Sequence, residues 1–220
     1  MWKVFFNEMQ DTVNNIESFL GTTNYTPDNY FRFKDMPFKD IKIVILGQDP
    51  YPQPGIATGR AFEVKGLKTW MDKFPQQSLK NMIKLLYKSY YGELLSFDEI
   101  KKKIASNEFK ILPPNKLFDS WENQGVLLLN TALTCEPGKP GSHRHIWNEF
   151  TVELIKFIAK EKTDAIWFLW GNHAISYEKF LLSSMVFKSS HPMLCNPNQE
   201  GNFINSNCFT DTKFIDWLGQ

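Results

Sequence analysis

The spacing of apolar residues changes repeatedly along this chain, and each change marks an element. From residue 2 to residue 20, Trp2, Phe5, Phe6, Met9, Val13, Ile16 and Leu20 recur at every third or fourth position, which predicts one amphipathic helix. Residues 21–40 lose that period and fill with Asn, Asp, Thr and Pro, as a loop does. IKIVIL (41–46) then reads as a strand. SLKNMIKLLYKSYYG (78–92) returns to helical spacing, with Ser78 near its start and Gly92 near its end. SFDEIKKKIA (96–105) is a second helical piece whose lysines read as a solvated face, and LPPNK (112–116) breaks it. GVLLLN (125–130) is a continuous apolar run, the pattern of a strand covered on both faces. A helix over 147–161, a strand over 164–171, a helix over 172–182, a strand over 185–192 and a short closing helix over 210–219 complete the reading.

Helical segments separate four short strands, so the expected fold class is α/β: a central four-stranded parallel sheet flanked by helices on both faces. At 220 residues, with no internal repeat, residues 1–220 are expected to form a single domain. In a parallel sheet all strands end on one edge, and ligands bind beyond those ends. The strands here end in Gly47-Gln48-Asp49, Asn130, Trp170-Gly171-Asn172 and Ser190-His191-Pro192. Topology alone therefore gathers a carboxylate, an imidazole and several amides at one place.

Composition narrows what that place can be. Net charge is +1, which argues against DNA held mainly by counterion release but leaves backbone and hydroxyl contacts to phosphate open. Cys135, Cys195 and Cys208 are too widely spaced for a C-x-x-C pair and suit reduced thiols, so an intracellular, cytoplasmic setting is expected. Cys135, His143 and His145 lack a recognised metal spacing, so no metal is expected. The acidic, interrupted N-terminus does not read as a signal peptide, and no segment is apolar for long enough to span a membrane.

No Ser or Cys nucleophile stands beside a base on this edge, and neither common phosphate-binding glycine motif is present. The inventory suits another chemistry. An Asn amide offers a donor beside an acceptor, which can match the imide edge of a base such as uracil. A ring such as Phe62 can stack on a base. Tyr51, held between prolines, can form a rigid wall against an extra methyl group. Asp49 can stabilise a cationic sugar and orient water, and His191 can stabilise a departing base.

These residues lie in segments that together resemble the family 1 uracil-DNA glycosylases. GQDPY (47–51) resembles the family's water-activating loop, and GRAFEV (59–64) is similar to its G-L-A-F-S-V segment. FPQQSLKNM (74–82) resembles its proline-rich loop and VLLLNTALT (126–134) its uracil-reading strand. WGNHA (170–174) resembles its Gly-Ser loop and HP (191–192) the start of its leucine loop. Six segments in the family's order make the resemblance specific. It implies that Asp49 and His191 are catalytic, and that Gln48, Tyr51, Phe62 and Asn130 bind uracil. It further implies that Pro75, Ser78, Gly171, Asn172, Pro192 and Leu194 contact DNA. The implied activity is hydrolysis of the N-glycosidic bond of flipped-out uracil in single- or double-stranded DNA by a monomer, with no metal or cofactor. A protein inhibitor that mimics DNA is a further implied partner class.

The chain also departs from the family. Pro52 stands where a His is usual, Gln76 and Gln77 replace prolines, and Asn172 replaces the Ser of the Gly-Ser pair. After His191 the family's H-P-S-P-L-S becomes HPMLCN, so Leu194 sits one place early and Cys195 takes the wedge position. Ser78 has a second reading as a plain helix N-cap. His143, Arg144 and His145 read as a solvated loop or as contacts with DNA or the rim of the site. A DNA-binding scaffold or replication-associated subunit with this fold is the alternative to an enzyme, and a glycosylase of other base choice is a third reading that Tyr51 and Asn130 disfavour.

Overall fold

A computed structural model describes residues 1–182 and 185–220. Its centre is a sheet of β1 (Ile43–Gly47), β2 (Val126–Asn130), β3 (Ile166–Trp170) and β4 (Val186–Ser189), in the order β2-β1-β3-β4 with every pairing parallel. The expected fold class holds. β1 is buried along its whole length, and alternate residues serve opposite faces. Ile43 and Ile45, with Val126, Leu128, Phe168 and Trp170, face a core built from α3 (Gln77–Tyr91), α4 (Phe97–Ala105), α5 (Pro114–Asn123) and the C-terminal segment. Val44 and Leu46, with Leu127, Leu129, Trp167 and Leu169, face a second core built from α1 (Trp2–Glu8), α2 (Gln10–Leu20) and α6 (Arg144–Glu161). A one-residue slip would exchange these two sets, so register is tightly specified.

Several elements differ from their sequence reading. The single helix expected over 2–20 is two, interrupted at Met9 (φ −100°, ψ 14°). Phe5, Met9, Val13, Ile16 and Leu20 still form one buried stripe, so packing rather than a breaker residue sets the interruption. LPPNK does not break the preceding helix, which already ends at Ala105 ahead of a left-handed Asn107 (φ 61°); it starts another, with Pro114 in the first turn of α5, where its missing N–H costs nothing. α4 begins at Ser96 with a reciprocal Ser96–Glu99 capping box. α6 begins a turn earlier than expected, after His143. The helix expected over 172–182 is only α7 (Asn172–Ile175) followed by a 3-10 turn at Glu178–Phe180. The closing helix over 210–219 is absent; a chain of turns lies there instead. Those turns bury Phe209, Ile215 and Trp217, and their polar groups pair locally: the Trp217 indole donates to the Thr212 carbonyl, and the Trp121 indole donates to the Trp217 carbonyl. The rings are buried without helical spacing.

Among the described residues, no helix is long and apolar enough to cross a membrane, and no cluster of three or more His, Cys, Asp or Glu could hold a metal ion.

Candidate active site

The strand ends open a pocket of about 290 Å³, lined among others by Gln48, Asp49, Tyr51, Phe62, Asn130 and His191. A larger cavity of about 540 Å³ lies beyond Arg60, walled by Tyr25, Asn29, Arg32, Glu63 and Asp119. Its two arginines are engaged by carboxylates: Arg60 pairs with Glu63, Asp119 and Glu122, and Arg32 with Asp119 and Glu122. The smaller pocket is the one that gathers the polar strand ends, and two of its side chains, Asn130 and His191, keep a polar group without a protein partner among the described residues.

Gly47 and Asn130 are partners in the β1–β2 register, at the last rung. A Cβ on residue 47 would stand 2.3 Å from the Asn130 Oδ1 and 2.7 Å from the Ala61 Cβ, so only glycine lets the amide lie across the end of β1. Beyond this rung the strands stay tied: the Thr131 N–H donates to the Gly47 carbonyl (3.0 Å), and the Gln48 carbonyl accepts from the Ala132 N–H (2.9 Å) and the Thr131 hydroxyl (3.0 Å). That hydroxyl has only one proton, so it accepts from the Nε2–H of His173, 2.7 Å away. Gln48 is thus fixed through its backbone. The Asn130 side chain is nearly buried, with the residue 3% exposed, yet its amide has no hydrogen-bond partner among the described residues.

Tyr51 donates its hydroxyl to the Phe62 carbonyl at 3.3 Å. Burial pushes the phenol's pKa well up, so it stays a neutral donor. Phe62 carries a left-handed backbone (φ 65°), a conformation that costs a non-glycine residue about 1–3 kcal/mol and persists only where the surroundings enforce it. Its ring lies 5.6 Å from that of Trp170 and 6.4 Å from that of His191, measured between centroids.

His191 is held from both sides. Gly171 has φ 91°, and a Cβ there would meet the His191 Cβ at 3.0 Å. The Met193 N–H donates to Nδ1 at 3.1 Å, which assigns the proton of the neutral ring to Nε2. Burial lowers the pKa of this imidazole, so the ring is neutral near pH 7 and its Nε2–H has no partner among the described residues. The Pro192 carbonyl accepts from the Asn81 amide at 2.7 Å, and Gln77 donates to Asn81 at 3.0 Å, tying this loop to the first turns of α3.

Asp49 meets a group that sequence reading did not assign to it. Arg144, the first residue of α6, places its Nε 3.2 Å from both carboxylate oxygens and its Nη2 2.5 Å from Oδ2. The Asp49 side chain is 8% exposed and that of Arg144 is 45% exposed. With one partner half in water, such a pair is worth on the order of 1 kcal/mol. His143, read as loop, is buried at the N-cap of α6, with its Nδ1 2.9 Å from the Thr134 hydroxyl. His145 is exposed.

The residues expected to contact DNA scatter more widely. Ser78 lines the pocket and lies inside the first turn of α3 rather than at its N-cap, which is Gln76. Gly171 and Asn172 line an adjoining hollow of about 170 Å³, which also takes in His173 and His191. Pro75 lines neither; it borders a separate hollow beside Phe74, Lys80 and Phe97. Met193 and Leu194 are 61% and 55% exposed, whereas Cys195 turns back so that its sulfur accepts from the Lys84 ammonium at 3.1 Å. Leu194 is therefore free to project and Cys195 is not. Asn81 and His173 were not singled out in the sequence; both lie within segments that resemble family loops, but nothing in their spacing marked them.

A family model described as "Uracil DNA glycosylase superfamily" matches residues 33–217. Among curated relatives, a uracil-DNA glycosylase of Borrelia turicatae is 39% identical over 184 residues, 82% of this chain and 71% of that protein. One of Salmonella arizonae is 34% identical over 224 residues, 98% of this chain and 84% of that protein. Among solved structures, mimivirus uracil-DNA glycosylase superposes with a TM-score of 0.68 at 26% identity, covering 87% of this chain and 67% of that one. A mimivirus variant in complex with UGI superposes with a TM-score of 0.67 at 26% identity, covering 87% and 69%.

Proposed function

The chain belongs to the uracil DNA glycosylase superfamily, and from that premise we propose how its residues divide the work. The protein excises uracil from DNA in base excision repair, hydrolysing the N-glycosidic bond to leave free uracil and an abasic site. It works as a monomer, with residues 1–220 as one catalytic domain. The observation that supports this division most directly is that an unpartnered amide (Asn130) and an unpartnered imidazole N–H (His191) face one pocket together with a carboxylate, a phenol and a ring. A donor-acceptor amide and an imidazole N–H that are free of protein partners and open to one pocket are placed to meet a ligand, which a scaffold does not require.

The flipped uracil stacks on Phe62. Asn130 accepts from its N3–H and donates to O4. Tyr51 occupies the space a C5 methyl would need, which excludes thymine. Gln48 lines the pocket through its backbone. As the bond from C1′ to N1 stretches, positive charge grows on the sugar and negative charge on the uracil. Asp49 stabilises the first and orients water for attack at C1′. The Nε2–H of His191 donates to O2 and stabilises the second, where a preorganised donor has most effect. The water oxygen bonds to C1′, its proton passes to Asp49, and uracil leaves as the anion. Ser78, Gly171, Asn172 and Pro192 hold phosphates around the extruded nucleotide, with Pro75 farther along the same strand. The substrate is single- or double-stranded DNA, and in the duplex Leu194 fills the gap left in the stack. A mimivirus relative has been solved in complex with UGI, which supports a protein inhibitor as a further partner class.

The test is uracil release from single- and double-stranded oligonucleotides carrying one uracil, with chelator present and Asp49→Asn beside the wild type. Alkali-labile sites in the wild type, lost in the variant, are the expected result. DNA binding without cleavage by the wild type would refute the catalytic roles.

A further inference from the structure

Three residues bordering the pocket carry a full charge: Asp49, Arg60 and Arg144. Arg60 is buried and already engaged by Glu63, Asp119 and Glu122. Arg144 is the half-exposed cation of the mouth, and in the free protein its guanidinium forks Asp49.

That arrangement works against the chemistry assigned to Asp49. A carboxylate stabilises a cationic sugar by its unit negative charge. A guanidinium on both of its oxygens cancels most of that field at the neighbouring C1′, and itself repels the cation. The surroundings fix where Arg144 starts but leave its head movable. Its backbone begins α6, and its guanidinium lies over Gly141, where an added Cβ would stand 2.8 Å from Cζ. The loop before it is pinned by the Gly138 N–H on the Pro52 carbonyl and the Glu136 N–H on the Ser142 hydroxyl, both at 2.8 Å. The side chain beyond is half in water. The substrate brings a competing partner: a backbone phosphate lies on each side of the extruded nucleotide, and the guanidinium fork fits phosphate as well as carboxylate.

We propose that Arg144 is a substrate-released clamp on Asp49, pairing with the carboxylate in the free protein and passing to a phosphate flanking the extruded deoxyuridine when DNA docks. The unit charge of Asp49 is then restored only when a nucleic-acid backbone is present. Arg144 is a positioning residue in this scheme, and the inference rests on the proposed catalytic role of Asp49.

The experiment compares the wild type, Arg144→Gln and Arg144→Lys on two single-stranded oligonucleotides with one central deoxyuridine. One has ordinary phosphates; the other has uncharged methylphosphonates at the linkages flanking the deoxyuridine. On the ordinary strand, Arg144→Gln should raise KM about tenfold and leave kcat within about twofold. On the methylphosphonate strand, the wild type should lose about tenfold or more in kcat because the clamp has nowhere to go, whereas Arg144→Gln should lose far less and overtake it. Arg144→Lys, which keeps the charge but not the fork, should fall between. A wild-type kcat indifferent to the methylphosphonates overturns the proposal whether or not the variants fold. An equal loss of kcat by Arg144→Gln on both strands also overturns it, since that marks a permanent orienting contact. Asp49→Asn assayed alongside separates the two readings. Activity surviving there removes Asp49 from catalysis and the clamp with it, while activity lost there without the crossover removes the clamp alone.

Discussion

Replacing Gly47 with Ala should disable the site while leaving the fold intact. Gly47 does not occupy the left-handed region, so alanine meets no backbone penalty, and the whole effect is one of space. The new Cβ would stand 2.3 Å from the Asn130 Oδ1, where ordinary contact begins at 3.4 Å, and 2.7 Å from the Ala61 Cβ. The amide must therefore retreat by about 1 Å, and misplacement of that size costs roughly 10²-fold in rate. Overpacking at the buried end of β1 should cost about 1–3 kcal/mol. For a domain of this size that lowers Tm by roughly 2–4 °C per kcal/mol, so a drop of about 2–12 °C is expected. The assay is steady-state uracil release from a single-stranded oligonucleotide, with thermal unfolding run on the same preparation. Gly21→Ala is the control: a Cβ there meets only ordinary contacts at 3.5 Å, and activity should not change. A Gly47→Ala protein that melts lower as calculated but keeps its rate within about threefold of wild type would refute the placement of Asn130 against the base.

Other expectations concern the same neighbourhood. Tyr51→Ala should admit thymine, read as thymine release from a T-containing strand; thymine release by the wild type would remove Tyr51 from its role. Leu194→Ala should lower activity on duplex DNA about tenfold more than on single strands, since only the duplex needs its stack refilled; equal losses would remove Leu194 as the wedge. Burial lowers the pKa of His143, His173 and His191 below the ordinary 6.5, so on acidification the unfolded chain takes up protons before the folded one. Their contribution to stability is complete above about pH 6.5 and is lost progressively as pH falls below it. Denaturant midpoints should therefore fall between about pH 7 and pH 5, a window above the titration of ordinary carboxylates; a flat or rising profile would contradict this.

β1, β2 and β3 were legible because each is a short apolar run bounded by polar or turn-forming residues, β4 (VFKS) rests on a shorter apolar start, and the parallel order followed from the helices between them. The grouping at their ends was legible for the same reason: once the strands were placed, Asp49, Asn130 and His191 had to share an edge. The helix boundaries were less so. Pro114 can end one helix or begin the next, and only the capping context distinguishes the two. The turns at 206–219 bury Phe209 and Trp217 by contacts with Trp121 and Phe168, which lie far away in the chain, so no local period records them. Arg144 was ambiguous because its partner lies 95 residues earlier. Nothing in GSHRH distinguishes a solvated cation from one that lies on a carboxylate. Asn81 was hidden likewise: its partner is a backbone carbonyl, which leaves no trace in side-chain identity.

The strand order β2-β1-β3-β4 also bears on how this protein becomes active. Asp49 and Tyr51 follow β1, Asn130 ends β2, and His191 follows β4, so no contiguous piece of chain carries a working fragment of the pocket. Each parallel pairing closes a long crossover, whose entropy must be met before its contacts form, and such topologies fold slowly. A chain with only β1 and β2 paired would hold Gln48 and Asn130 together but would lack His191. Recovery of uracil release after dilution from denaturant should therefore lag behind the return of helical signal, and follow the docking of β4 on β3. In that sense enzymatic activity is a clock for the last long-range pairing, and can report on it in a mixture where spectroscopic signals from earlier pairings already look native.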